Sequence, residues 1–325
     1  MRYPSGAQSK RPARPRGDAS RAGAEEAAVI TTVVRAMTFD DLPEVASVTD
    51  AAFAALHRRE DRAPVAADGI PALLIRTRLT ADPGGCFVAV SAQDPGRITG
   101  ALLSVARGTL GWFGPLAVHP GAQRCGVGTR LVAACVDSWR HRGVCLMGLA
   151  TFPGSAFHRH FYRQAGFRQS CGSIGFRTHL AATSMPDDIQ VGGQVPDLGF
   201  LYPGLDVSAE AAAARSCGAG LALTAADGMA IVHLEPTVQP PGMGYVPFLA
   251  AATRTTFGRL LGAAEHLSRE RGRTVLFTRA SSSSWPTIDA LTERGYQPLG
   301  LMTRMKAGEN PSYDHTGCYY LDSWL

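Results

Sequence analysis

At 325 residues and 45% hydrophobic content, the chain is long enough for two domains with real cores. Its formal net charge of +5 is carried largely before residue 22, where Arg2, Lys10, Arg11, Arg14, Arg16 and Arg21 face only Asp18. The remainder is near balance, which argues against a basic face for nucleic acid. The seven cysteines (86, 125, 135, 145, 171, 217 and 318) are odd in number, with no CxxC and no Cys/His spacing suited to zinc. Free thiols in a reducing cytoplasm, and no metal, are therefore expected. No stretch has the apolar core of a signal peptide or the length of a membrane span, so no membrane partner is expected either.

Residues 1–28 are rich in Pro, Arg, Ala and Gly and are predicted to be a disordered tail. A first domain is predicted over 29–180. It opens with a β-branched strand at 31–34, followed by a helix capped by Thr38 that carries Val45, Val48, Ala52 and Phe53 at helical spacing. Residues 56–70 read as a loop or short helix over a substrate mouth. Strands follow at 86–90 and 98–105 around Gln93–Asp94–Pro95–Gly96, and a third covers 111–118. A helix over 129–142 ends at Gly143, with Arg140, His141 and Arg142 in its last turn. A strand at 144–149, a helix at 157–164 ended by Gly166, and a strand at about 173–178 complete the domain.

Between the third strand and the long helix lies Gln123–Arg124–Cys125–Gly126–Val127–Gly128. A glycine-punctuated turn at a helix N-terminus leaves amides without helical partners, and the helix dipole favours an anion there. The chain has neither GxxxxGK[ST] nor GxGxxG, so a nucleotide phosphate loop and a dinucleotide fingerprint are excluded. A pyrophosphate, such as that of coenzyme A, fits the turn.

After a linker at 181–198, the second half, 199–325, repeats the first. Arg130–Leu131 aligns with Arg259–Leu260, and Gly143 and Gly166 align with Gly272 and Gly295, all at one offset of 259 − 130 = 129. Under this register Gln123 becomes Ala252, Gly126 becomes Thr255, Gly128 becomes Phe257 and Tyr162 becomes Leu291. The copy keeps the apolar frame, and a hairpin over 220–234 turning at Asp227–Gly228, but loses the cradle. A degenerate second domain that binds no cofactor is the expectation. The aromatic tail 318–324 is expected to dock on a domain, in a position to close the acceptor cleft.

The spacing Gln-x-x-Gly-x-Gly after Val118–His119–Pro120 resembles the acyl-CoA signature of the GNAT acyltransferase superfamily. Phe161–Tyr162–Arg163–Gln164–Ala165–Gly166–Phe167 resembles that superfamily's second block, FYxxxGF. The resemblance implies an α/β fold with a mixed sheet, two GNAT-like domains in tandem, the second degenerate. It implies amides of Arg124, Cys125, Gly126, Val127, Gly128 and Thr129 around the pyrophosphate, with Gln123 also in the cofactor site, and main-chain pairing of the pantetheine arm with Leu116, Ala117 and Val118. It also implies Ser155 near the cofactor arm and Tyr162 as the acid that protonates the departing thiolate. The strand before the cradle has no carboxylate where many relatives place a glutamate base, which leaves a water relay or a histidine. His158 shares the Tyr162 helix face, whereas His119 reads as structural. One of Trp112 and Phe113 is expected to line the acceptor pocket, because strand residues alternate sides. The implied reaction is acetyl transfer from acetyl-CoA to a primary amine of a small molecule or peptide. A longer acyl-CoA or an acyl group on an acyl carrier protein is an alternative donor, and a non-catalytic CoA-binding regulatory module is a further alternative. Many relatives pair two such domains, so the chain is either a monomer with an internal pseudo-dimer or a homodimer.

Overall fold

The structure is a computed structural model that describes residues 32–59, 70–94, 96–237, 242–308 and 317–323. The tail 1–28, Thr31, Pro95, Trp324 and most of the loop expected over 56–70 lie outside the described residues. Strands β1 (Thr32–Ala36), β2 (Phe87–Ser91), β3 (Ile98–Arg107) and β4 (Leu110–Val118) form an antiparallel run. Helix α1 (Leu42–Arg59) begins after a Thr38–Asp41 capping box, whose Asp41 carboxylate also accepts from Arg35 at 2.7 Å. It reaches six residues past Phe53, so the start of the segment expected as a loop or short helix continues α1. A further helix, α2 (Ala72–Ala81), buries Leu74, Ile75 and Leu79.

Helix α3 (Val127–His141) lays Leu131, Cys135 and Trp139 against β3 and β4. Full burial of an aliphatic or aromatic side chain stabilises by about 1.5–3 kcal/mol, so this stripe anchors the helix. Strand β5 (Leu146–Thr151), helix α4 (Ala156–Gln164) and strand β6 (Arg168–His179) follow. The segment expected as linker contains a two-residue strand, β7 (Gln190–Val191), which pairs with Leu223 and Thr224. The second half then runs α5 (Ser208–Ser216), β8 (Gly220–Ala225), β9 (Gly228–His233), β10 (Met243–Ala251), α6 (Arg254–Glu270), β11 (Val275–Ser281), α7 (Trp285–Glu293), β12 (Gln297–Gly308) and β13 (Tyr319–Asp322).

All the strands join one mixed sheet in the order β1-β2-β3-β4-β5-β12-β6-β11-β10-β9-β8-β7, with β13 on β10. The two halves exchange strands within it. β12 lies between β5 and β6, and β6 pairs with β11. Under the offset of 129, β6 maps onto β12 from end to end (168 + 129 = 297 and 179 + 129 = 308), so the exchange is reciprocal. A core of Leu110, Trp112 and Leu146 with Leu198, Phe248 and Tyr320 seals the junction.

A buried charge cluster also ties the halves. Glu210 of α5 accepts from Arg107 Nη2 at 2.7 Å and from Arg78 Nη1 at 2.6 Å. Burial pushes its carboxyl up, but the two guanidinium charges outweigh that and hold it below the usual range. Nearby His233, whose Nδ1 meets Thr237 Oγ1 at 2.8 Å, is pushed down to about 3 by burial and by Arg78. The unfolded chain binds a proton at His233 below pH ~6.5 that the folded chain refuses until about 3. Stability therefore falls as pH drops through that window. We expect the melting temperature to decline steadily from pH 6.5 to 3, and the decline to be shallower in His233→Gln; equal slopes would remove His233 from the account.

Candidate active site

Strand β4 pairs with β5 in parallel from Leu110 to Phe113 and then parts from it. On the other side β4 keeps its pairing with β3 through Val118, after a register shift between Ser104 and Leu102. Among the described residues no strand covers the β5 side of 116–118. That edge offers main-chain donors and acceptors to an extended ligand.

The turn after β4 opens into the gap. His119 Nδ1 accepts from the Gly121 amide at 3.2 Å and shapes a single helical turn, a structural role. Gln123 Nε2 donates to the Val118 carbonyl at 3.1 Å, and its Oε1 accepts from Arg59 at 3.2 Å, so the turn is braced to both β4 and α1. Arg124 has φ +65° and Gly126 has φ +80°, two left-handed residues that curl the backbone into a concavity. The Arg130 amide reaches the Gly126 carbonyl at 3.1 Å, and among the described residues the amides of 124–129 have no protein acceptor. A β-carbon on Gly126 would meet nothing within 4 Å, so the concavity is open. Six free amides at a 15-residue helix N-terminus fit a pyrophosphate.

A cleft of about 620 Å³ runs along this turn. Leu116, Val118, Gln123, Arg124, Gly126, Val127, Gly128, Thr129 and His158 line it. Ala117 turns to the opposite, buried side of β4, and exposed Cys125 does not line the cleft. Ser155 caps α4, its Oγ accepting from the His158 amide at 3.4 Å, so its hydroxyl serves the helix. His158 packs on Phe152 and Phe157 at the cleft wall.

Tyr162 is 8% exposed and packs on Phe113 and Phe161, with ring centroids 5.8 and 5.0 Å apart. Among the described residues nothing hydrogen-bonds its hydroxyl. Burial pushes the phenol up, so it stays protonated across the range in which an amine can attack. A second pocket of about 250 Å³ adjoins the cleft and shares Leu56 and Leu116 with it. Phe113 lines this pocket, whereas Trp112 points into the junction core. No carboxylate or histidine lines it among the described residues.

In the second half the strand edge is covered, and what remains at the α6 N-terminus is an open surface pocket of about 360 Å³. β10 leaves β11 after Val246, but β13 pairs with Phe248 to Ala251, along the edge that is bare in β4. Helix α6 begins at Arg254, two residues before the point that α3 predicts (127 + 129 = 256), and Thr253 Oγ1 caps it by accepting from the Thr256 amide. Phe257 stands in the place of Gly128, 1% exposed and 5.7 Å from the Tyr319 ring of β13. An Arg254–Glu293 ion pair lies across the remaining opening. Residues 319–322 of the aromatic tail dock as expected, but on β10 of the second half and not over the cleft of the first; that choice of strand, and the strand exchange, have no marker in the composition. α2 had one, since Leu74, Ile75, Arg78 and Leu79 recur at helical spacing after Pro71.

Residues 51–167 match the acetyltransferase (GNAT) family model, a span that holds both sequence blocks. The match covers about a third of the chain, within its first half. The fold resembles a putative acetyltransferase from Pyrococcus horikoshii (TM-score 0.67, 15% identity, 90% of this chain and 95% of that one). It also resembles a GCN5-related N-acetyltransferase from Sphaerobacter thermophilus (0.54, 16%, 88% and 98%). A tandem GNAT protein from the clavulanic acid biosynthesis pathway aligns over 87% of this chain and 99% of its own, at 18% identity and TM-score 0.52. No curated protein matches by sequence.

Proposed function

We propose, from a first half that carries the GNAT family match and fold, that the protein is an N-acyltransferase moving an acetyl group from acetyl-CoA to a primary amine. The observation that carries this reading is the pairing of six free amides at 124–129 with the bare β4 edge at 116–118. The first would hold a pyrophosphate and the second a pantetheine arm, which together aim a thioester at the β4–β5 gap. Attack by the neutral amine forms the new C–N bond and breaks the C–S bond. Tyr162 supplies the proton to the leaving sulfur, and the attacking amine gives up its own proton. His158 stands on the donor wall, so in this reading it relays that proton through water.

The reading extends to the architecture. The second half holds no cofactor and serves as scaffold, supported by β13 covering its strand edge and Phe257 standing in the place of Gly128. The domains divide at the 181–198 linker, and a single chain supplies both members of the pseudo-dimer, in the cytoplasm. The pocket of about 250 Å³ beyond the gap favours one rival, a longer or carrier-borne acyl group. In the test, coenzyme A is titrated into the full chain by calorimetry, and thiol release is then followed with acyl-CoA donors and an amine panel. Binding in the micromolar range and amine-dependent thiol release are expected; absence of binding heat would end the proposal.

A further inference from the structure

The pocket beside the gap is apolar except at two positions, Thr151 and Arg279. Arg279 belongs to the second half, on β11, yet it lines a pocket otherwise walled mainly by the first half. Its partner across the offset, Ala150 (279 − 129 = 150), lines the same pocket, so the pseudo-twofold brings equivalent positions to one space. Arg279 Nε and Nη1 are shielded from solvent and have no hydrogen-bond partner among the described residues. No ion pair neutralises the guanidinium among the described residues. Its guanidinium carbon sits 5.4 Å above the Phe277 ring. Nearby Arg304, which is fully buried, is occupied by Asp322, at 2.7 Å from Nη1 to Oδ2.

Arg279 is half-buried, and two shielded guanidinium nitrogens without a partner among the described residues are costly to a fold, because their desolvation is not offset. Burial accordingly draws its proton affinity down, with Arg304 adding repulsion. A cation so placed on the wall of an otherwise apolar pocket is suited to receive an anionic group of whatever enters it. Its planar fork of donors matches a carboxylate in two-point contact.

We propose that Arg279 binds a carboxylate on the substrate that occupies this pocket, making the second half a specificity element of the first half's site. This rests on the acyltransferase reading above. The carboxylate has two possible bearers: the acyl group of the donor, as in a dicarboxylic monothioester, or the amine acceptor, as in an amino acid.

Matched probes separate them. Calorimetry compares succinyl-CoA with butyryl-CoA, which have equal chain length and differ in the terminal carboxylate. Turnover with the better donor then compares glycine with glycinamide and β-alanine with propylamine. Wild type, Arg279→Met and Arg279→Lys are each measured. A donor carboxylate gives at least tenfold tighter binding of succinyl-CoA, lost in Arg279→Met and partly kept in Arg279→Lys. An acceptor carboxylate gives equal donor binding but at least tenfold higher kcat/KM for the carboxylate amines, with the same variant order. Arg279→Met keeps the stem, removes the half-buried charge and is expected to melt no lower than wild type. Equal behaviour of every matched pair in wild type, with both thioesters bound, overturns the proposal and leaves the acyltransferase standing. If acetyl-CoA fails to bind along with both thioesters, the acyltransferase reading falls, and this one with it; if acetyl-CoA alone binds, only the proposal for Arg279 on the donor falls.

Discussion

Gly128→Phe should weaken coenzyme A binding by at least 100-fold while leaving the fold intact. The substitution writes into the first half what the second half already carries at Phe257. A β-carbon at Gly128 would touch Phe161 Cζ at 3.4 Å and Val118 Cγ2 at 3.7 Å, ordinary contacts with two residues that line the cleft. The ring beyond it must then occupy space beside the free amides. A hundredfold loss corresponds to about 2.7 kcal/mol, within what blocking several charge-assisted amide contacts can remove. Gly128→Ala is the control. It adds a methyl at ordinary contact distance and replaces a helical glycine, worth roughly 0.5–1 kcal/mol in favour of the fold. Calorimetry on both, with melting curves alongside, decides the matter. Unchanged affinity in Gly128→Phe would remove the 124–129 turn from the binding site.

Tyr162→Phe should lower kcat by about 10²- to 10⁴-fold, the range expected when a positioned acid is lost, and leave coenzyme A affinity within about twofold. The ring keeps its contacts with Phe113 and Phe161, so melting temperature should hold. Because burial raises the phenol, the wild-type rate should show no falling limb from tyrosine ionisation below pH ~10. Rate against pH and single-turnover thiol release test both statements. A variant with wild-type kcat would make Tyr162 a packing residue only.

The parts of the site read from sequence are those built by local chemistry. A glycine turn before a helix announces its free amides because the neighbouring residues alone fix them, and the 129-residue register followed from glycines at helix ends. Phe257 was legible for the same reason, as a side chain where the first copy has none. Other features depend on long-range pairing. Nothing in residues 319–322 states that they lie on β10 rather than elsewhere, since strand pairing is set by the whole sheet. The exchange of β6 and β12 is equally silent, because identical strand lengths in the two halves make either neighbour acceptable. Arg279 looked like one arginine among many until the fold set it against a pocket of the other half.

The reciprocal trade of β6 and β12 makes the two copies unequal in what evolution can discard. The later copy's own strand edge could be covered by a terminal strand, and its cradle take a phenylalanine, without harm to the earlier copy. Its final long strand has no such freedom, for it completes the ancestor's sheet beside β5. Neither half can therefore be cut away without opening a gap in its neighbour's sheet, whatever its own groove has come to hold.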